Sequence, residues 1–598
     1  MQQRRRLNVF AFGSETNALF GMLIITSLML TLFLGMAFGL FFGITDSISG
    51  IDISTRGLEI TNTYLPIICL STTAVFAVFG MAVIFYLRHP SEIQRRRKIS
   101  PLVEKDHDIQ EHVNELAVQE GIEPPRIQMP TQGLRGTDAQ AFGIGRSQMI
   151  ALDGGFRILR KTKPDVFNAL IHHELAHLAN ADVGRSYFSA ALWISIRWII
   201  VLPFVLSVVG NIIIGLFLGL YYGDLLERFM GPAQFIFRLF TQFGFILAIA
   251  ALIWARLLRT REFYADWRAV LWGSQAGLNT ILQEENEKER PTIRFNLWKL
   301  HPDAKDRTDA IQYPETLLKL SPEFVFLAGL LLSFMFVGLY FSFSIFLAFV
   351  GVLQSIQDST TELSYWLFRG MFWFGFACIV LLLFGLMGWL INGVLLPQIQ
   401  KQTILELINK QRGLMHYAKM GIPSLLLIAG IEFGFIMTPF GLFAPNTVMG
   451  FIVEIFIIGP VLVVTVWWYL VYIRFVNYRL LATQTGRHFS IWRRRFIRTA
   501  STIWAFLFFM PLLFWSRILD GTISNSLLYI NLGLLAFTIL LSLITFGTSW
   551  LIIKMFFDNQ PKKCPHCGKT TQHRAPAIES CEHCGGILGE WLFIPEKP

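Results

Sequence analysis

Apolar runs long enough to cross a bilayer recur along the whole chain, and they decide most of what it can fold into. A helical span needs about 20 residues, and runs of that kind lie near 18–42, 64–87, 187–221, 233–256, 323–349, 369–396, 422–443, 448–474, 499–516 and 526–556. They are continuous rather than alternating, so they predict helices and not barrel strands. With 53% hydrophobic and 15% charged residues over 598 positions, the composition excludes an ordinary soluble protein. The expected architecture is a mainly α-helical polytopic membrane protein with about ten transmembrane helices. The first run is too long for the apolar region of a cleavable signal and shows no small-residue cleavage site, so it is expected to remain as a span.

The net charge of +10 is a topology signal. Arg4-Arg5-Arg6 precede the first run, and Arg88 with Arg95-Arg96-Arg97-Lys98 follow the second. Arg256, Arg259 and Arg261 follow the fourth, Arg493-Arg494-Arg495 separate the eighth from the ninth, and Lys562-Lys563 follow the last. The alternate loops are short and neutral or acidic, as at Asp358 and Glu362. On this count every basic loop falls on one side, which the positive-inside rule makes the cytoplasm, together with both termini. The basic residues flank spans instead of forming one patch, so the expected partner is the lipid bilayer and not nucleic acid. Three regions follow: a membrane-embedded domain at 1–322 with cytoplasmic segments 88–186 and 257–322, a six-helix membrane region at 323–556, and a cytoplasmic tail at 557–598.

The polar chemistry is expected in the cytoplasmic segments. A helical pattern with Ile109, Val113 and Leu116 is closed by Gly121, and strand-like pieces follow around 126–129, 140–144 and 148–153. Lys163-Pro164-Asp165 reads as a helix start, with proline in the first turn and an acid at the positive dipole end. That helix carries His172-His173-Glu174-Leu175-Ala176-His177. Residues i and i+4 share a face, so His173 and His177 can aim at one point, with Glu174 beside it as a base. This is the pattern of a zinc hydrolase: two nitrogen ligands, an open position and a carboxylate able to act on water. His172 points elsewhere on the helix and is expected to be a packing or solvent-facing residue. The whole suits a small α+β zincin-type protease domain.

A zinc site of this type needs a third protein ligand. An extended motif with glycine at 180 and histidine at 183 fails, since the chain has Asn180 and Val183. Asp224 and Glu227 fall on the far side of the membrane. Glu262 returns to the near side just after the fourth run, with Asp266 at i+4 placed to orient a ligand histidine. The competing role for Glu262 is an interfacial ion pair with Arg259 or Arg261. Glu284, Glu285, Glu287 and Glu289 read as a solvated loop or helix face.

On these residues the chain resembles the membrane-embedded zinc metallopeptidases that include the HtpX-type bacterial stress proteases and the CAAX prenyl proteases. The resemblance covers about residues 1–315: two N-terminal spans, the His-Glu-Leu-Ala-His stretch followed by Asn180 and Asp182, two more spans, Glu262 with Ala265-Asp266, and His301-Pro302 with Arg307. It implies that His173, His177 and Glu262 bind a catalytic zinc and that Glu174 is the catalytic base. Asp182 and Asp266 would be structural or orienting carboxylates. It also implies a multi-pass protein of a bacterial inner membrane whose cytoplasmic active site cuts polypeptides, either unfolded chains or membrane proteins, in quality control or processing. Where HtpX-type proteins usually carry Asn-Ala-Phe, this chain has Gln140-Ala141-Phe142. A different class of reading is a non-proteolytic metal-binding membrane scaffold or transporter, which would have no need of Glu174 beside an open position.

In the tail, Cys564-Pro565-His566-Cys567 and Cys581-Glu582-His583-Cys584 form two C-x-x-C knuckles separated by 13 residues, with Gly568, Gly585 and Gly586 suited to the turns. Four thiolates at this spacing predict a second, structural zinc in a zinc ribbon. Cys69 and Cys378 lie within spans as packing residues, and Glu432 and Glu454 are intramembrane acids, either functional or packed.

Overall fold

The computed structural model describes residues 5–11, 15–49, 59–102, 106–130, 136–145, 147–222, 225–288, 299–335, 391–409, 420–437, 459–484, 490–502, 540, 543–544, 546–558, 562–571 and 580–595. The expected spans near 369–396, 499–516 and 526–556 fall mostly outside these residues, as do Cys378, Glu454, Asp224 and Glu289. Among the described residues, four helices are long and apolar enough to cross a membrane: Thr73–Arg97, Val183–Tyr221, Ile236–Leu271 and Pro314–Met335. They overlap the second to fifth expected runs.

Strand β1 (Arg5–Leu7) leads into two long helices, α1 (Thr16–Ser49) and α2 (Glu59–Arg97). Next come β2 (Ile99–Pro101), α3 (His107–Gln119), β3 (Arg126–Pro130), β4 (Ala139–Ile144) and β5 (Ser147–Leu152). Helices α4 (Phe156–Thr162), α5 (Pro164–Ala179) and α6 (Val183–Ile196) follow, and a π-helical turn at Arg197–Val201 joins α6 to α7 (Leu202–Tyr222). Helix α8 (Leu225–Leu271) returns, then α9 (Gln275–Lys288) and α10 (Ala304–Gln312). The later helices are α11 at 322–335, α12 (Leu396–Ile408), α13 (Gly421–Ile436) and α14 (Gly459–Ala482). The tail holds β6 (Lys562–Lys563), β7 (Thr570–Thr571) and β8 (Phe593–Pro595).

Helix α8 has 47 residues, about 70 Å at 1.5 Å per residue, against a hydrocarbon core of about 30 Å. The helix is therefore longer than one crossing needs. An ionic and aromatic layer crosses it near Arg256. Arg256 pairs at 2.8 Å with both Glu15 and Glu323, at the starts of α1 and α11, and Trp254 stacks on Trp193 at 5.4 Å. Glu262 comes six residues after Arg256, about 9 Å further along the helix. Below that layer, Leu23, Leu30, Phe33, Phe204, Phe243, Leu331, Leu427 and Leu470 share one apolar core. Helices α11 and α13 touch through glycine: a Cβ at Gly430 would lie 2.1 Å from the Phe326 carbonyl oxygen, so only a hydrogen permits this approach.

Above the layer sits a four-stranded sheet of order β2-β3-β5-β4, with β3 and β5 parallel and the other pairs antiparallel. Ala141 stands opposite Ile150 and Phe142 opposite Met149 in the β4–β5 hairpin. Helix α5 lies against the sheet because Phe167, Ile171, Leu175 and Leu178 recur at helical spacing and bury with Phe142, Ile150, Leu152 and Phe156. At the start of α9, Gly277 lets that helix close on α5, since a Cβ there would come 2.3 Å from the Asp165 carbonyl oxygen.

A third core joins distant parts of the chain. Trp591 and Leu592 pack with Val9, Tyr264, Trp267, Ile404, Leu405 and Leu481. Strand β1 pairs with β8 antiparallel, Arg6 opposite Ile594, and the Trp591 indole N–H donates to the Gln484 carbonyl at 3.0 Å. The tail is thus anchored behind the stretch of α8 that carries Glu262.

Candidate metal centre

Helix α5 begins with Pro164 in its first turn and Asp165 beside the free N–H groups, as its sequence dictates. Two turns on, the face opposite the sheet presents His173 and His177 toward α8. Their rings stand nearly perpendicular, and the two Nε2 atoms are 3.2 Å apart. Zinc–nitrogen bonds of about 2.0–2.1 Å in a tetrahedron give ligand separations of about 3.3 Å. From α8, Glu262 brings Oε2 to 3.3 Å from His173 Nε2 and Oε1 to 3.7 Å from His177 Nε2. All three side chains are buried.

Each imidazole has a carboxylate at its other nitrogen. Asp266 Oδ1 lies 2.8 Å from His173 Nδ1, and Asp182 Oδ1 lies 3.1 Å from His177 Nδ1. The His173–Asp266 contact is an ion pair and not an aligned hydrogen bond. Such partners fix the ring orientation and raise the basicity of the facing Nε2. Asp266 is itself held by Arg307, whose Nε and Nη2 donate to its two oxygens at 2.7 Å each.

The electrostatics call for a cation. Burial lowers the His173 pKa, but Asp266 and then Glu262 outweigh it and lift the imidazole to about 10. Two buried carboxylates thus favour positive charge at this point, and the two Nε2 atoms with Glu262 form a donor set that fits a dication. By proximity alone Glu174 also groups with the two histidines. Its Oε2, however, accepts the Ala141 N–H at 2.5 Å, whereas Glu262 reaches toward both Nε2 atoms. The ion pair foreseen as the competing role of Glu262 is also present, Arg261 Nε donating to Oε1 at 2.9 Å.

His172 turns away from the cluster. Its Nδ1 is 2.6 Å from the Ser274 hydroxyl, and its ring packs near Trp272. Glu284 and Glu285 lie on the exposed end of α9, paired with Lys163 and Arg307. His301 is exposed. Contacts that sequence reasoning did not foresee are those of Ala141 with Glu174 and with Tyr187, and the Lys401 ammonium on the Tyr264 hydroxyl, at 2.5 Å.

In the tail, the four cysteine sulfurs form a second cluster. Cys564 and Cys584 are 3.6 Å apart at sulfur, and Cys567 and Cys581 3.7 Å. A disulfide would bring sulfurs to about 2.05 Å, whereas zinc–sulfur bonds of about 2.3 Å give tetrahedral separations near 3.8 Å. Both knuckles turn alike: Gly568 N–H donates to the Cys564 carbonyl and Gly585 N–H to that of Cys581, each glycine with φ of +69°. Backbone N–H groups, that of His583 first, pull the Cys581 thiol down to about 6, which favours the thiolate that a metal needs.

A buried H-E-x-x-H helix on a small mixed sheet, with a carboxylate arriving from a second helix, is the arrangement of a zinc metallopeptidase. Residues 104–315 match the model for peptidase family M48, a family of zinc metallopeptidases. The matched segment takes in β3 to β5, α3 to α10 and every residue of the cluster. No curated protein and no solved structure matches the chain.

Proposed function

We propose that the protein is an integral-membrane zinc endopeptidase in which His173, His177 and Glu262 hold zinc and Glu174 is the catalytic base. The observation that carries this reading is the convergence of two Nε2 atoms 3.2 Å apart with both oxygens of Glu262, each imidazole backed by its own carboxylate. Bound there, zinc would polarise the scissile carbonyl and acidify water. Glu174 takes the proton of the attacking water and delivers it to the leaving nitrogen. Asp182 and Asp266 hold the imidazoles in the tautomer that leaves Nε2 free. Strand β4 offers its edge to an extended polypeptide, and main-chain pairing of that kind is largely indifferent to sequence, which suits unfolded chains and membrane proteins. The basic loops support a cytoplasmic active site, and the resemblance to HtpX-type proteases supports a bacterial inner membrane and a role in quality control or processing. The family match gives no support to the scaffold or transporter alternative. The sulfur geometry supports a second, structural zinc on Cys564, Cys567, Cys581 and Cys584.

The test is casein cleavage by the detergent-purified chain with zinc counted per polypeptide. Glu174→Gln should keep its zinc and lose about 10²–10⁴-fold in turnover, the range of a general base. Unchanged cleavage in that variant would sink the mechanism.

A further inference from the structure

The edge of β4 that faces the metal cluster is already occupied. Strand β5 pairs one side of β4, and among the described residues no strand pairs the other. In an antiparallel ladder a residue directs its N–H and C=O to the same side. The Ala141 N–H donates to Glu174 Oε2 at 2.5 Å, and the Ala141 carbonyl accepts the Tyr187 hydroxyl at 2.6 Å. Both backbone groups therefore point to the free edge, where an added peptide strand would take them. The hydroxyl is held in place: the Gln140 amide donates to it at 3.2 Å, and the His89 ring packs edge-on against the phenol with centroids 4.1 Å apart. Ala141 is 6% exposed and Tyr187 8%. The hydroxyl fills the edge-facing position at the Ala141 oxygen, where a substrate amide would pair.

We propose that Tyr187 is a specificity-determining gate on the β4 edge: its hydroxyl stands in for a substrate amide at the Ala141 carbonyl, and an extended polypeptide binds by exchanging its own N–H for that hydroxyl. The inference rests on the endopeptidase reading above. Tyr187 touches neither imidazole of the cluster nor Glu262 in any contact of the structure, so it acts on binding and leaves the chemical step to Glu174. When the competent state is a fraction of the population, apparent affinity falls by that fraction. Removing the hydroxyl raises the fraction, and the vacated carbonyl is satisfied only in the complex.

The experiment measures kcat and KM for an unfolded casein substrate with full-length zinc-loaded protein. Tyr187→Phe should lower KM about two- to ten-fold, the factor set by one hydrogen bond of about 0.5–1.5 kcal/mol, with kcat and zinc content at the native value. Gln140→Leu, which loosens the hydroxyl without removing it, should shift KM in the same direction by less. A purely structural Tyr187 would raise KM or lower kcat, and either result, or an unchanged KM in both variants, overturns the gate. Cleavage that persists in Glu174→Gln would instead remove the endopeptidase reading beneath it, so the two failures are distinguishable.

Discussion

Asp266 ties three parts of the chain together through one carboxylate, meeting His173 from α5 and both donor nitrogens of Arg307 from α10. Asp266→Asn keeps the size and removes the charge, so zinc affinity should fall about 10–100-fold, read by titration against a chelator. Glu262→Gln should lose the zinc that Glu174→Gln retains, and elemental analysis of the two variants side by side decides which glutamate is the ligand. At this scale the two histidines were legible because their relation is local, i+4 on one helix, whereas Asp182, five residues on across the helix end, entered only through a family resemblance. Arg307 was visible only through a family resemblance. Its partner lies 41 residues away, and no periodicity of the intervening chain connects them. Tyr187 gave no signal at all, since an aromatic at the start of an apolar run is ordinary in a membrane helix.

Elements of ten residues or so were the most legible. The pattern Ile109, Val113, Leu116 closed by Gly121 became α3, with those side chains buried and Gly121 at φ +70°. The pieces expected around 126–129, 140–144 and 148–153 are β3, β4 and β5. Strand β2 was missed because three residues carry no alternation to detect, and α4 for the same reason at helical period. Glycine contacts set how closely these elements pack. Gly277→Val should push α9 off the start of α5 at an overpacking cost of about 1–3 kcal/mol. Thermal unfolding in detergent should show a lowered midpoint, with zinc retention falling in parallel because Ser274, the residue just before α9, seats His172.

For the whole molecule, the tail and the membrane core are not independent appendages. Strand β8 of the tail pairs with β1, and Trp591 and Leu592 bury beside Tyr264 and Trp267 on the helix that bears Glu262. Cys564→Ser should remove one zinc per chain and raise amide exchange in Arg5–Leu7 and Phe593–Pro595, measured by hydrogen–deuterium exchange, while the zinc on α5 and α8 remains. The four cysteines announced their cluster in the sequence. Where it docks was illegible, because pairing Arg5–Leu7 with Phe593–Pro595 is a contact across almost the whole chain between strands too short to have a pattern. The donors themselves are divided in a similar way. His173 and His177 precede the apolar hairpin of α6, α7 and α8, and Glu262 lies near its far end, on α8. With Glu262 as the proposed third ligand, a newly made chain that has not entered a bilayer would have two imidazoles and no third ligand beside them. On the proposed reading, hydrolytic competence and insertion into the membrane would be acquired in one event.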